Sequence, residues 1–191
     1  LGRSEVRFAF FGTSHIAVFV LDALKEAGLV PALIVTPPDK PKGRGLALQT
    51  SAVKNWALDN GINILQPENL DSAFVDLLTT NYKLLTVCIV VDYGKILSKE
   101  ILDIPKRGFL NVHPSLLPRL RGPSPIRSAI LNDEKETGVT ILVVDEQMDH
   151  GPIVAQKQVK IPPRTVLGAP WSHVAELEEL LMKEGGKLLA Q

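Results

Sequence analysis

Leu84-Leu-Thr-Val-Cys-Ile-Val-Val91 is the most apolar stretch of the chain, and it does not alternate. A strand with one wet face alternates apolar and polar residues, because successive side chains point to opposite faces. An unbroken aliphatic run instead fits a strand covered on both faces, as parallel strands are. Working outward, Val6 to Phe11, Ala32 to Thr36 and Ile62 to Leu65 also read as strands. Helical spacing follows each of them: Ala17, Val20, Leu21 and Leu24; then Val53, Trp56 and Ala57; then Phe74, Leu77 and Leu78. Strand and helix in alternation imply a three-layer α/β fold with a mostly parallel central sheet, with Leu84–Val91 among its central strands. No repeat, low-complexity tract or linker interrupts the pattern, so residues 1–191 read as one domain.

Bulk composition narrows the function classes. Hydrophobic residues make up 45% and charged residues 22% of 191 residues, a globular balance. Formal net charge is zero, so any contact with nucleic acid must come from local basic patches. The single cysteine, Cys88, lies inside the apolar run and reads as a buried, inert thiol. Its isolation fits a reducing compartment, and a cytoplasmic or organellar-matrix location is expected. No apolar run reaches the length of a membrane span, and no signal peptide is visible. His15, His113, His150 and His173 show no metal-ligand spacing, so no metal is expected.

Most of the polar residues suited to chemistry fall between Gly108 and Pro152. Phe109 to Val112 reads as a short buried strand, with Asn111 its one polar residue, and His113 follows before Pro114. Asn111 and His113 then share one face, with Leu110 and Val112 on the other. Burying an amide and an imidazole side by side is costly without partners, and ligands in open α/β sheets sit at the carboxyl ends of strands. Pro114, Pro118, Pro123 and Pro125 stiffen the next loop, which carries Arg119 and Arg121 and leads to Arg127. A second apolar strand, Thr140 to Val144, runs into Asp145, Glu146 and Asp149 and a turn at Gly151-Pro152. A strand pair could bring Asp149 up to His113.

Elsewhere, Gly12-Thr13-Ser14 follows the first strand, and Thr13 or Ser14 is a plausible helix N-cap. The dinucleotide fingerprint G-x-G-x-x-G is absent, which disfavours a dinucleotide-dependent oxidoreductase. Pro37 to Gly45, P-P-D-K-P-K-G-R-G, is locally basic, and its three prolines and two glycines argue against regular structure. Ser98 reads as the cap of a short helix before Pro105, and Ile153 to Ile161 as a half-exposed edge strand. Val174, Leu177, Leu180, Leu181 and Leu188 form an amphipathic helix weakened at Gly185-Gly186, with Trp171 docking it.

The ordered run N-V-H-P-S-L-L-P-R-L-R-G-P-S-P-I, with D-E-Q-M-D-H-G-P downstream, resembles the formyltransferases that use 10-formyltetrahydrofolate. In its long form it looks most like the methionyl-tRNA formyltransferases. The resemblance implies a Rossmann-like formyltransferase fold and puts the family's catalytic Asn, His and Asp on Asn111, His113 and Asp149. It implies a folate pocket lined by Tyr93, Lys95, Ile96 and Leu97, largely through backbone groups, with Asp145 in the same set. It implies a cis bond between Leu117 and Pro118. It makes Pro37–Gly45 a loop that meets the acceptor arm of initiator methionyl-tRNA through Lys40, Lys42 and Arg44, with Arg121 a helper and Thr13 and Ser14 in a substrate-facing turn. Ser14 and His15 depart from the family's usual Pro and acid, and Asp92 from its usual small residue.

The implied reaction passes the formyl group of 10-formyltetrahydrofolate to the amino group of methionyl-tRNA, the formylation step of translation initiation, in a protein expected to be monomeric. The family's methionyl-tRNA members normally add a tRNA-binding C-terminal β-barrel, and this chain stops where it would begin. A catalytic domain with weak tRNA affinity is therefore expected. Two alternatives stay open. One is a formyltransferase acting on a sugar nucleotide amine or glycinamide ribonucleotide, which would share the three polar residues but lack the basic loop. The other is a non-catalytic folate- or RNA-binding module.

Overall fold

The computed structural model describes residues 6–42, 47–161 and 170–191. Contacts divide the chain into two compact units: Leu1–Val18 with Val30–Leu110, and Phe19–Leu29 with Asn111–Gln191.

The first unit holds β1 (Phe8–Gly12), the start of α1 (His15–Glu26), β2 (Leu33–Val35), β3 (Lys40–Lys42), β4 (Ala47–Gln49), α2 (Ala52–Asp59), β5 (Ile64–Leu65), α3 (Ser72–Asn81), β6 (Val87–Val91) and α4 (Lys99–Leu102). β1 pairs in parallel with β2 on one side and β6 on the other, and β2 pairs in parallel with β5. All residues of β1 and β2 are buried, as strands covered on both faces must be. Phe11 anchors this core: Phe109 at 5.1 Å, Tyr93 at 5.4 Å and Phe74 at 6.5 Å meet it edge-on. Each such ring stabilises the unit by roughly 1.5–3 kcal/mol through burial alone.

The second unit holds most of α1, the C-terminal end of β7 (Phe109–His113), α5 (Pro125–Leu131), β8 (Glu136–Val143), β9 (Ile153–Lys160) and α6 (Pro170–Leu189). β8 and β9 form an antiparallel pair with an irregularity between Ile141 and Leu142. Seven of the strands follow the sheet order β5-β2-β1-β6-β7-β8-β9, with β6 at the centre and β9 at an edge. This is the mostly parallel α/β sheet that the alternation of strand and helix signals implies.

Local departures from the sequence reading have physical causes. β6 begins at Val87 rather than Leu84, because the Leu85 N–H turns back to the Tyr82 carbonyl and leaves Leu84 68% exposed. Within Pro37–Gly45, Lys40-Pro41-Lys42 pairs with Ala47–Gln49 as a two-stranded ribbon. Antiparallel pairing engages alternate residues, so a proline fits the intervening position. Neither hydroxyl before α1 caps it through a side-chain bond: Thr13 Oγ1 donates to the Tyr93 carbonyl (3.2 Å), and Ser14 Oγ has no partner. Ser98 has cap geometry but makes no side-chain bond, whereas Ser51 and Asp71 cap α2 and α3 as acceptors. Leu77 and Leu180 lie at the margins of their helix faces, each more than a third exposed. The Trp171 side chain lies outside the described residues.

Gly185 and Gly186 do not break α6. They mark its closest approach to its neighbours. A Cβ on Gly186 would lie 2.6 Å from Ala23 Cβ and 2.9 Å from the Val20 carbonyl oxygen; one on Gly185 would lie 2.5 Å from Val112 Cγ1. Neither Ala23 nor a backbone carbonyl can swing away. Gly186→Ala is therefore expected to destabilise the protein, because overpacking at about 1–3 kcal/mol exceeds the gain in helix propensity of about 1 kcal/mol. Thermal melting checks this, at about 2–4 °C per kcal/mol for a chain of this size. A raised midpoint would show that α6 is free to slide.

Candidate active site

β7 ends at His113, and its alternation puts Asn111 and His113 on one face. The turn between β8 and β9 delivers Asp149 to the same place. The Asp149 Oδ1 atom lies 3.4 Å from Asn111 Nδ2 and 3.4 Å from His113 Nδ1. Its other oxygen, Oδ2, accepts a hydrogen bond from the Gly122 N–H at 2.9 Å. Asp149 adopts a left-handed backbone, with φ 51°, a conformation that Asp tolerates better than most residues. The His113 and Asp149 side chains are 5% and 9% exposed, so their mutual attraction is little screened by water.

The proline-rich loop encloses the other side of the histidine. The His113 Nε2 atom lies 3.0 Å from the Leu120 carbonyl. Since a carbonyl only accepts, a hydrogen bond between them requires the hydrogen on Nε2. Ser115, fully buried, donates Oγ–H to the Arg119 carbonyl at 2.7 Å. The start of the loop is pinned from β8 and β9. Thr140 Oγ1 donates to the Ser115 carbonyl (2.6 Å) and accepts from the Leu117 N–H (3.1 Å), while Gln156 Nε2 donates to Thr140 Oγ1 and to the Leu117 carbonyl, both at 2.9 Å. The Leu117–Pro118 peptide bond is cis, as the resemblance implies.

Ser115, Thr140, Gln156 and Gly122 were not among the expected site residues. Thr140 leaves a trace in the sequence as a hydroxyl that interrupts an apolar strand, and Gly122 as a glycine between Arg121 and Pro123. Gly122 has φ 97°, a conformation that favours glycine and aims its N–H at Asp149.

The remaining expected residues fall as follows. Tyr93 is 3% exposed, its carbonyl accepts from Thr13, and its unpartnered hydroxyl is pushed up to about 12 by burial. Lys95 Nζ donates to the carbonyls of Pro67 (2.9 Å) and Glu68 (2.7 Å). Leu97 is buried, whereas Ile96 is 87% exposed. Asp145 accepts from His150 Nδ1 and from the Gln147 N–H, both at 2.9 Å, and these bonds, the histidine's first, hold its carboxyl below the usual carboxylate range.

In the basic segment, Asp39 is taken up by Lys54 (2.6 Å) and Gln66 (2.8 Å), which lower its pKa in that order, so it does not neutralise the exposed Lys40. Arg44 and the Lys42 side chain lie outside the described residues. Arg121 is exposed. Cys88 is buried, and its thiol is pushed up to about 12, as an inert core residue should be. No group of three or more metal-ligating side chains occurs among the described residues, and none of their helices is long and apolar enough to cross a membrane.

The chain has relatives among known proteins. A methionyl-tRNA formyltransferase of Thermodesulfovibrio yellowstonii is 50% identical over 153 residues, 80% of this chain and 49% of that protein. One from Agathobacter rectalis is 41% identical over 187 residues, 97% of this chain and 57% of its own. The chain thus spans about half the length of the curated relatives it matches. Among solved structures, glycinamide ribonucleotide transformylase 1 of Geobacillus kaustophilus superposes with a TM-score of 0.72 at 25% identity, covering 98% of this chain and 100% of its own. Residues 6–184 match the formyl transferase family, and the chain belongs to it.

Proposed function

We propose that this chain transfers the formyl group of 10-formyltetrahydrofolate to the α-amino group of methionyl-tRNA. The observation that carries the chemistry is the meeting of Asp149 with both Asn111 and His113 at the end of β7. The neutral amine attacks the formyl carbon. The carbonyl electron pair moves to oxygen, and the resulting oxyanion needs donors aimed at it, which the Asn111 amide supplies. The proton shed by the attacking nitrogen has to reach N10 of the folate before the carbon–N10 bond breaks, and His113 is suited to carry it. Asp149 holds both donors and offsets positive charge on the ring.

Methionyl-tRNA is favoured as the acceptor over glycinamide ribonucleotide because the methionyl-tRNA relatives are 41–50% identical and the transformylase 25%. The basic ribbon supports the same choice. With Asp39 occupied by Lys54 and Gln66, Lys40 is left to meet phosphates of an acceptor stem, and Lys42 and Arg44 are assigned the same role from their place in the sequence. Tyr93, Lys95, Ile96, Leu97 and Asp145 are the groups proposed to meet the folate, with Ile96 the most available apolar surface among them. Thr13, Ser14 and Arg121 are assigned to the acceptor.

The test offers methionyl-tRNA, a sugar nucleotide amine and glycinamide ribonucleotide in parallel and follows consumption of 10-formyltetrahydrofolate. Methionyl-tRNA should be the acceptor used, and turnover of either other amine in its place rejects the assignment. Arg44→Ala is expected to weaken the response to tRNA concentration while folate binding holds. Added salt should blunt the difference, because phosphate contacts act through counterion release. An unchanged tRNA dependence would make the ribbon ordinary solvated surface.

A further inference from the structure

His113 lies between two oxygen atoms that only accept. The Leu120 carbonyl is 3.0 Å from Nε2, and Asp149 Oδ1 is 3.4 Å from Nδ1. A neutral imidazole carries one N–H and can satisfy only one of them. When a carboxylate faces a histidine, the hydrogen usually sits on the nitrogen that faces it. Here the distances favour the other nitrogen: 3.0 Å is an ordinary N–H···O bond, and 3.4 Å is beyond that range.

The Leu120 carbonyl is not free to turn away from the ring. Leu120 has φ 56°, a left-handed conformation that is uncommon for a leucine and must be held by its surroundings. Ser115 fixes the peptide that leads into Leu120. Its Oγ–H donates to the Arg119 carbonyl at 2.7 Å, on the peptide unit that carries the Leu120 N–H. The Ser115 N–H also donates to the His113 carbonyl at 2.9 Å, which ties the serine to the residue whose ring it steadies. With Ser115 0% exposed, no solvent competes for these bonds.

We infer that Ser115 is a positioning residue: by fixing the Arg119–Leu120 peptide it keeps the Leu120 carbonyl against Nε2, and so keeps neutral His113 with its hydrogen on Nε2. Nδ1 is then the atom that takes up and returns the proton, beside the same Asp149 oxygen that Asn111 approaches. The tautomer stands on geometry alone, and its kinetic meaning rests on the formyl-transfer reading. In that reaction the amine nitrogen bonds to the formyl carbon and gives its proton to Nδ1. Both ring N–H groups then have acceptors, Leu120 and Asp149. The proton passes on to N10, the carbon–N10 bond breaks with its electron pair going to N10, and His113 returns to the Nε2–H form.

NMR of protein labelled with 15N and 13C in histidine reads the tautomer directly, with the His113 ring signals assigned by their loss in His113→Gln. At a pH where the ring is neutral, the unmodified protein should show hydrogen on Nε2 alone, and Ser115→Ala should show a mixture of both tautomers. The kinetic arm expects Ser115→Ala to lower kcat by roughly tenfold, a fraction of the 10²–10⁴ that a general acid–base group contributes, with KM for both substrates little changed. Hydrogen on Nδ1 in the unmodified protein overturns the inference, and that measurement needs no variant to fold. So does a folded Ser115→Ala protein that keeps the single Nε2–H tautomer. A tautomer that shifts as expected in a protein that formylates no amine upholds the lock and rejects the proposed reaction.

Discussion

Asp149→Asn is expected to lower turnover by roughly 10⁴, the loss seen where an amide replaces a carboxylate that orients a catalytic histidine. Asparagine is the informative replacement because it tolerates the left-handed backbone at this position, so the turn should survive. The loss follows from counting acceptors. Oδ2 accepts from the Gly122 N–H, and Oδ1 faces Asn111 Nδ2 and His113 Nδ1. An amide has one oxygen and one NH₂ group. If its oxygen faces Gly122, its NH₂ faces the bare His113 Nδ1, blocking the atom that takes up the proton, and opposes the Asn111 amide, which loses its acceptor; if it is turned round, its NH₂ opposes the Gly122 N–H. Either way a nearly buried donor is stranded, at about 1–3 kcal/mol. The negative charge that offsets a protonated His113 is lost as well, and that loss falls on kcat. Single-turnover rates and a thermal melt together test this. A variant that melts normally and keeps its rate within about tenfold would remove Asp149 from the chemistry.

The parts of the fold and site that were legible in the sequence are those written in single elements. Continuous apolar runs such as Phe8–Phe11 and Val87–Val91 announce burial on both faces, and hence parallel strands flanked by helices. The shared face of Asn111 and His113 follows from period-two geometry within one strand. The meeting of Asp149 with that pair depends on the β8–β9 turn and on the irregularity near Ile141. Register and bulges of that kind are set by pairing between elements, so the residues suggest the contact only through the family pattern. The supports of the loop were less legible still. Thr140 and Gln156 are on different strands, and each looks unremarkable until their side chains meet at the Leu117 backbone. Gly185 and Gly186 misled for a related reason. Glycine weakens an isolated helix, but here it removes Cβ atoms that would strike Val112, Ala23 and the Val20 carbonyl.

Asn111→Ala is expected to cost roughly 10²–10³ in kcat, as the loss of one oxyanion donor does elsewhere. The Asn111 amide presents two N–H bonds. One turns toward Asp149 Oδ1 at 3.4 Å, which aims the group, and the other is unclaimed among the described residues. An oxyanion forming on the substrate is the charge that the second N–H can meet. That charge is absent from the ground state, so the loss should fall on kcat and leave KM nearly unchanged. The fold should tolerate alanine well, because the bond to Asp149 is long and Asp149 keeps its contact with Gly122. Asn111→Asp separates donor strength from shape. It preserves the outline of the side chain, removes the donor, and sets a second carboxylate against Asp149, where two like charges disfavour ionisation of both. It should therefore be slower than Asn111→Ala and should recover partially as pH falls and one of the two carboxyls takes up a proton. If both variants form formyl product at the parent rate, the oxyanion is met by another donor, and Asn111 serves only to hold Asp149.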